Sequence, residues 1–131
     1  MSTSHQLSPQ VEAVFNDIKQ TRQVDEVNQF WKFLAADPAT LSRVWQLLKA
    51  IMVEPSSLDP LTKELIYIAV SVTNGCDYCV ASHTAAARSK GLSDAQFGEL
   101  QAIIGLANQT NALARGWRVP LDANLQPPTP I

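Results

Sequence analysis

Glu64-Leu-Ile-Tyr-Ile-Ala-Val-Ser-Val-Thr-Asn-Gly-Cys-Asp-Tyr-Cys-Val-Ala-Ser-His83 is the stretch whose reading decides the fold. From Leu65 to Val72 it is apolar almost throughout, which predicts a helix at the buried centre of a bundle. Asn74-Gly75 stops that helix, with glycine in the left-handed position such stops favour. Cys76 follows at once, and the alanine-rich run from Asp77 to Lys90 predicts a second helix, stopped by Gly91. A tight turn at Asn74-Gly75 folds the two into an antiparallel hairpin, in which residues whose numbers sum to about 150 face each other. Cys79 then lies opposite Ser71 and His83 opposite Tyr67. Glu64 lies one turn further along, on the flank of Ile68 and Ser71. The order Glu64, His83, Cys79 runs along one seam, with Cys76 at its mouth.

That seam holds both cysteines of the protein and one of its two histidines. A Cys-x-x-Cys followed four residues later by histidine is a redox or metal constellation. The thiolate is the nucleophile, and an ordinary thiol is mostly protonated at neutral pH. Cys79 falls in the first turn of its helix, where free N–H groups and the dipole favour negative charge. His83 can take its proton, and Glu64 can orient the imidazole. Asp77 opposes this as a nearby negative charge but is expected to spend itself on capping the helix. Cys76 can attack an oxidised Cys79, because the ends of such a loop reach disulfide geometry readily.

Plainer readings stand beside these. Two cysteines can be small buried residues, His83 a packing histidine, and Glu64 a solvated helix position. Asn108 and Asn111, on the apolar face of the last helix, read as interhelical polar contacts rather than a site. His5, near the start, carries no weight. The chemical competitor is zinc: Cys76, Cys79, His83 and Glu64 could supply four ligands, but structural zinc sites usually draw a second pair from elsewhere, and no further cysteine exists.

The remaining chain predicts helices throughout, giving an all-α fold: a single compact bundle of about six helices around the central hairpin. Ser8-Pro9 opens the first, with Val11, Val14, Phe15 and Ile18 at helical spacing. The second spans Val24 to Ala36 and puts Phe30 and Trp31 on one face. The third runs from Asp37-Pro38 to about Met52, with Leu41, Val44 and Trp45 in its stripe. These aromatic faces read as core. Asp59-Pro60 opens the fourth helix, and Ser93 to Gln96 forms a capping box for the sixth, which runs to about Arg115 and stops at Gly116. We divide the chain into a helical domain over 1–119 (core about 30–117) and an extended, proline-rich tail over 120–131.

Composition bounds the partners. With 131 residues the chain fits one domain, and its formal net charge of −2 gives no electrostatic reason to expect nucleic acid or an anionic membrane surface. Only 17% of residues are charged against 46% hydrophobic, which points to apolar surface covered by further copies, a homo-oligomer. No run reaches the ~18 apolar residues of a membrane span, and Met1 to Gln10 lacks the pattern of a secretory signal. The expected location is cytoplasmic, where a lone cysteine pair reads as redox-active or metal-binding rather than as a structural staple.

Glu64, eleven residues, Cys76-Asp-Tyr-Cys79, three residues and His83 together resemble the active-site signature of the alkyl hydroperoxidase D-like (AhpD-like) family, within the carboxymuconolactone decarboxylase superfamily. The resemblance extends over roughly Phe30 to Trp117, including Lys63-Glu64-Leu65-Ile66, Val70-Ser71 and the Lys90-Gly91-Leu92-Ser93 exit. It implies a homo-oligomer, commonly a trimer or hexamer. It further implies reduction of hydroperoxides or thiol–disulfide exchange through the cysteine pair, with no metal, haem or flavin. An external dithiol, or a protein carrying one, would restore the pair. By this likeness Cys79 attacks the peroxide, Cys76 resolves, and His83 with Glu64 forms the proton relay, with Ser71 and Tyr78 in support. The best-known members carry histidine where this chain has Tyr78; a phenol is no base near neutral pH, so the relay falls on His83. The decarboxylase branch lacks the cysteine pair, which argues against that activity. A non-turnover redox sensor or binding module is the alternative the same residues allow.

Overall fold

The computed structural model describes residues 6–126, and every regular element among them is helical. The helices are α1 (Pro9–Arg22), α2 (Gln29–Leu34), α3 (Pro38–Leu48) with a π-helical turn at Lys49–Val53, α4 (Pro60–Asn74), α5 (Asp77–Ser89) and α6 (Asp94–Gly116), followed by a 3₁₀ turn at Ala123–Leu125. They sort into two units, one through Ser57 and one from Leu58, each with its own hydrophobic cluster. No described helix is long and apolar enough to cross a membrane. His5 and the last five residues of the expected tail lie outside the described residues, and within the tail Ala123–Leu125 is a helical turn rather than extended chain.

In the first unit, Ser8 caps α1 by accepting the Val11 N–H at 3.3 Å, and Val11, Phe15 and Ile18 form the buried stripe. The second helix is shorter than the periodicity predicts. Gln23 turns left-handed (φ 54°) and ends α1, and Asn28 takes the extended N-cap conformation, so Val27 reaches the core from a connector. The third helix continues to Val53 as expected, but its last turn widens: the Glu54 N–H reaches back five residues to the Lys49 carbonyl at 3.1 Å. Trp31 and Trp45 are both buried and meet edge to face with ring centroids 5.4 Å apart. Trp45 Nε1 donates to Asp17 Oδ2 at 2.7 Å, so its polar end is satisfied. These tryptophans are core.

In the second unit, Asp59 accepts the Thr62 N–H at 2.9 Å and Pro60 sits at the first helical position, starting α4 where the sequence places it. Gly75 ends it at φ 74°, a conformation costly for a residue with a Cβ, and the chain reverses into α5. The α5 N-cap is Cys76, not Asp77: its sulfur accepts the Cys79 N–H, which leaves Asp77 as the first helical residue. At the far end Gly91 (φ 101°) turns the chain so that the Leu92 N–H bonds the Ala87 carbonyl at 3.1 Å. Leu92 is thereby tucked against Ile68 and Ala87, the fully enclosed centre of this unit. The capping box forms: Ser93 accepts from the Gln96 N–H, and the Gln96 amide oxygen accepts from the Ser93 N–H. Asn108 Nδ2 bonds Thr73 Oγ1 at 3.2 Å, a polar tie between α6 and α4. Gly116 does not stop α6; it is the last helical residue, and Arg118 (φ 50°) makes the left-handed turn.

The largest departure is α4. Its apolar run predicts burial all round, yet only Lys63, Glu64, Ile68 and Ser71 are buried, while Ile66 and Val70 are 50% and 54% exposed. Burial follows contact with α5 and α6, which cover one face and leave the opposite one bare. On α6, Ile103 and Leu106 are bare too.

Candidate active site

The buried face of α4 presents Glu64, Ile68 and Ser71 at intervals of four and three residues. The facing side of α5 presents Cys79, His83 and Ala87 at intervals of four, and Lys90 three residues later. Where these stripes meet, Glu64 Oε2 lies 2.7 Å from His83 Nδ1, with the two side chains 7% and 11% exposed. The ring of Tyr67 stacks on the imidazole with centroids 3.6 Å apart and planes 21° from parallel. The facing of His83 and Tyr67 follows the hairpin register that the Asn74-Gly75 turn imposes.

Glu64 uses both carboxylate oxygens, since Lys90 Nζ lies 3.4 Å from Oε1. Burial pushes its pKa up, but the hydrogen bond and charge of His83 and the charge of Lys90 outweigh this and hold it below the ordinary value. An ionised carboxylate only accepts, so Nδ1 of His83 carries the hydrogen and a neutral imidazole keeps Nε2 as its free base. Lys90 is a member of this cluster that the motif spacing does not disclose. The signal was present in the seven-residue separation from His83, two turns along one helix face.

The cysteines are both free thiols, partly buried, at the opening of α5. Cys76 Sγ accepts the Cys79 N–H at 3.3 Å. The Cys76 thiol is lowered, first by the hydrogen bond it accepts from the Cys79 side chain and then by that backbone N–H, against burial and the charge of Asp77. Cys79 is raised to about 11 by donating to Cys76, by burial and by the Cys76 charge. Of the two thiols Cys76 is therefore the more readily ionised, at the position that meets the N-terminal amides. Tyr67 is raised too, first by burial and then by the charges of Cys79, Cys76 and Glu64, which places its phenol in the field of the same cluster.

Ser71 is buried, and its carbonyl accepts the Cys76 N–H at 3.0 Å, fixing the cap residue against the end of α4. Tyr78 is 45% exposed on the first turn of α5. Among the described residues no group of three or more His, Cys, Asp or Glu side chains is placed to hold a metal ion. His83 Nδ1, one potential ligand atom, is engaged by Glu64.

Comparison with known proteins agrees with the fold and the family resemblance. A model of the carboxymuconolactone decarboxylase family matches residues 38–122. An uncharacterized protein of Cupriavidus necator is 37% identical over 87 residues, 66% of this chain and 75% of that protein. The crystal structure of the alkylhydroperoxidase AhpD core from Rhodospirillum rubrum is 51% identical, with a TM-score of 0.87, covering 95% of this chain and 96% of that one. The chain thus belongs to the carboxymuconolactone decarboxylase family, and it is an AhpD-like member of it.

Proposed function

We propose that the protein is a thiol-dependent peroxidase of the alkyl hydroperoxidase type, working through Cys76 and Cys79 with Glu64 and His83 as proton relay. The observation that carries this reading is the reduced pair at the opening of α5, one sulfur hydrogen-bonded at the helix N-terminus, on the same hairpin as a buried carboxylate–imidazole pair. The similarity to the alkylhydroperoxidase AhpD core of Rhodospirillum rubrum supports the substrate class.

In the reaction, Cys79 loses its proton to the imidazole and its sulfur attacks a hydroperoxide oxygen. The S–O bond forms, the O–O bond breaks, and the alkoxide leaves as alcohol with a proton. Cys76 then attacks the sulfenic acid, forming the disulfide and releasing water. The two electrons come from the pair, and an external dithiol or dithiol-bearing protein returns them by thiol–disulfide exchange. No metal, haem or flavin enters the scheme, and the cytoplasm is the compartment that would keep the pair reduced.

The bare apolar faces of α4 and α6 fit a homo-oligomer, a trimer or hexamer, with this unit against further copies.

A second reading rests on Cys79 being held as thiol. A sulfur so placed suits a sensor that oxidises once and reports to a partner. Steady-state hydroperoxide consumption with a dithiol reductant separates the two. A peroxidase turns over, loses all turnover in Cys79→Ser, and slows by about 10²-fold or more in His83→Ala and Glu64→Gln. Consumption by Cys79→Ser at the wild-type rate contradicts the assignment.

A further inference from the structure

We propose that Lys90 is a positioning residue of the Glu64–His83 relay: by holding the second oxygen of Glu64 it fixes the carboxylate and competes with the imidazole for its charge. The inference rests on the thiol-redox reading of the site and extends it to a residue outside the Glu64, Cys-x-x-Cys and His83 spacing.

Three observations place Lys90. Its side chain is 36% exposed, yet the ammonium turns inward to a carboxylate that is 7% exposed. Its backbone is set by the end of α5: the Lys90 N–H bonds the Ala87 carbonyl at 3.0 Å, Gly91 takes φ 101°, and the buried Leu92 anchors the turn. Finally, Glu64 divides its oxygens, Oε2 to His83 at 2.7 Å and Oε1 to Lys90 at 3.4 Å. The shorter contact orients the imidazole, and the longer keeps the carboxylate from serving His83 alone.

The consequence is electrostatic. A carboxylate shared with a fixed cation attracts a proton onto the imidazole less strongly than one that is not shared. Lys90 thus helps to keep Glu64 ionised and sets how strongly that carboxylate acts on His83 Nδ1. The other titratable groups around the cluster are Tyr67, stacked on the imidazole, and the two thiols. Lys63, next along α4, is buried and has interactions of its own. On α6, Asp94 is paired with Arg88 at 2.8 Å and Glu99 is exposed.

Two readouts test this without needing peroxide turnover. In protein carrying ¹³C-labelled glutamate, the Glu64 carboxyl of Lys90→Met is expected to titrate at higher pH than wild type, and that of Lys90→Arg to follow wild type. In ¹⁵N-labelled protein at pH 7, the His83 Nδ1 resonance is expected to move in Lys90→Met, because the carboxylate then serves the imidazole alone. Lys90→Arg should keep it at the wild-type position. A role confined to helix stability would move the unfolding midpoint and neither of these. An unchanged Glu64 titration in folded Lys90→Met overturns the proposal. If both shifts occur and the wild type consumes no hydroperoxide, the charge coupling stands and the peroxidase reading fails.

Discussion

Cys76 and Cys79 are three residues apart and chemically distinct. The distinction comes from one helix terminus: Cys76 sits outside the first turn with its sulfur over the amides, and Cys79 sits inside it as donor. Spacing alone suggested Cys79 as the activated thiol, because the first turn was known and the cap residue was not. With Cys76 as cap, Cys76 is the more readily ionised of the two, and in the proposed peroxidase cycle Cys79 would reach its attacking state by passing a proton to the relay. This has a pH signature. The lowered thiol is anionic below its ordinary range, while Cys79 stays protonated until the pH approaches about 11. Limited alkylation of the reduced protein at pH 8, read by peptide mass spectrometry, should therefore label Cys76 well before Cys79. Equal labelling of the two would show that the helix opening does not separate them.

Helix boundaries marked by capping chemistry were legible at the scale of elements. Ser8, Asp59 and Ser93 each accept the backbone N–H three residues on, and Pro9 and Pro60 occupy first-turn positions. The Asn74-Gly75 stop fixed the hairpin register, which brought His83 against Tyr67 and within reach of Glu64. What could not be read was any boundary set by left-handed residues other than glycine. Gln23 shortened the second helix, and Arg118 rather than Gly116 closed the sixth. The π turn at Lys49–Val53 left no mark in the apolar pattern, because widening one turn preserves which residues are apolar. The seven-residue spacing of Lys90 from His83 was legible, but a lysine at a helix end is expected to serve the dipole, and its contact with Glu64 depends on the turn at Gly91.

For the whole molecule, the low charged fraction and the bare faces of α4 and α6 describe one property twice. An apolar helix face of Ile66 and Val70 leaves water only by meeting something else, and composition could announce the surplus without saying where it lay. In the oligomer account, Val70→Glu places a charge on that face while leaving the buried Glu64, Ile68 and Ser71 stripe untouched. Sedimentation at micromolar concentration should then show assembled wild type and a variant reduced to smaller species. A wild-type monomer under those conditions removes the oligomer from the account. The central claim, that the pair performs redox chemistry on hydroperoxides, is reached most directly by counting thiols. One equivalent of an alkyl hydroperoxide added to reduced protein should remove both free thiols and yield a peptide joined through Cys76 and Cys79. Two thiols still free after the peroxide has been offered would contradict it.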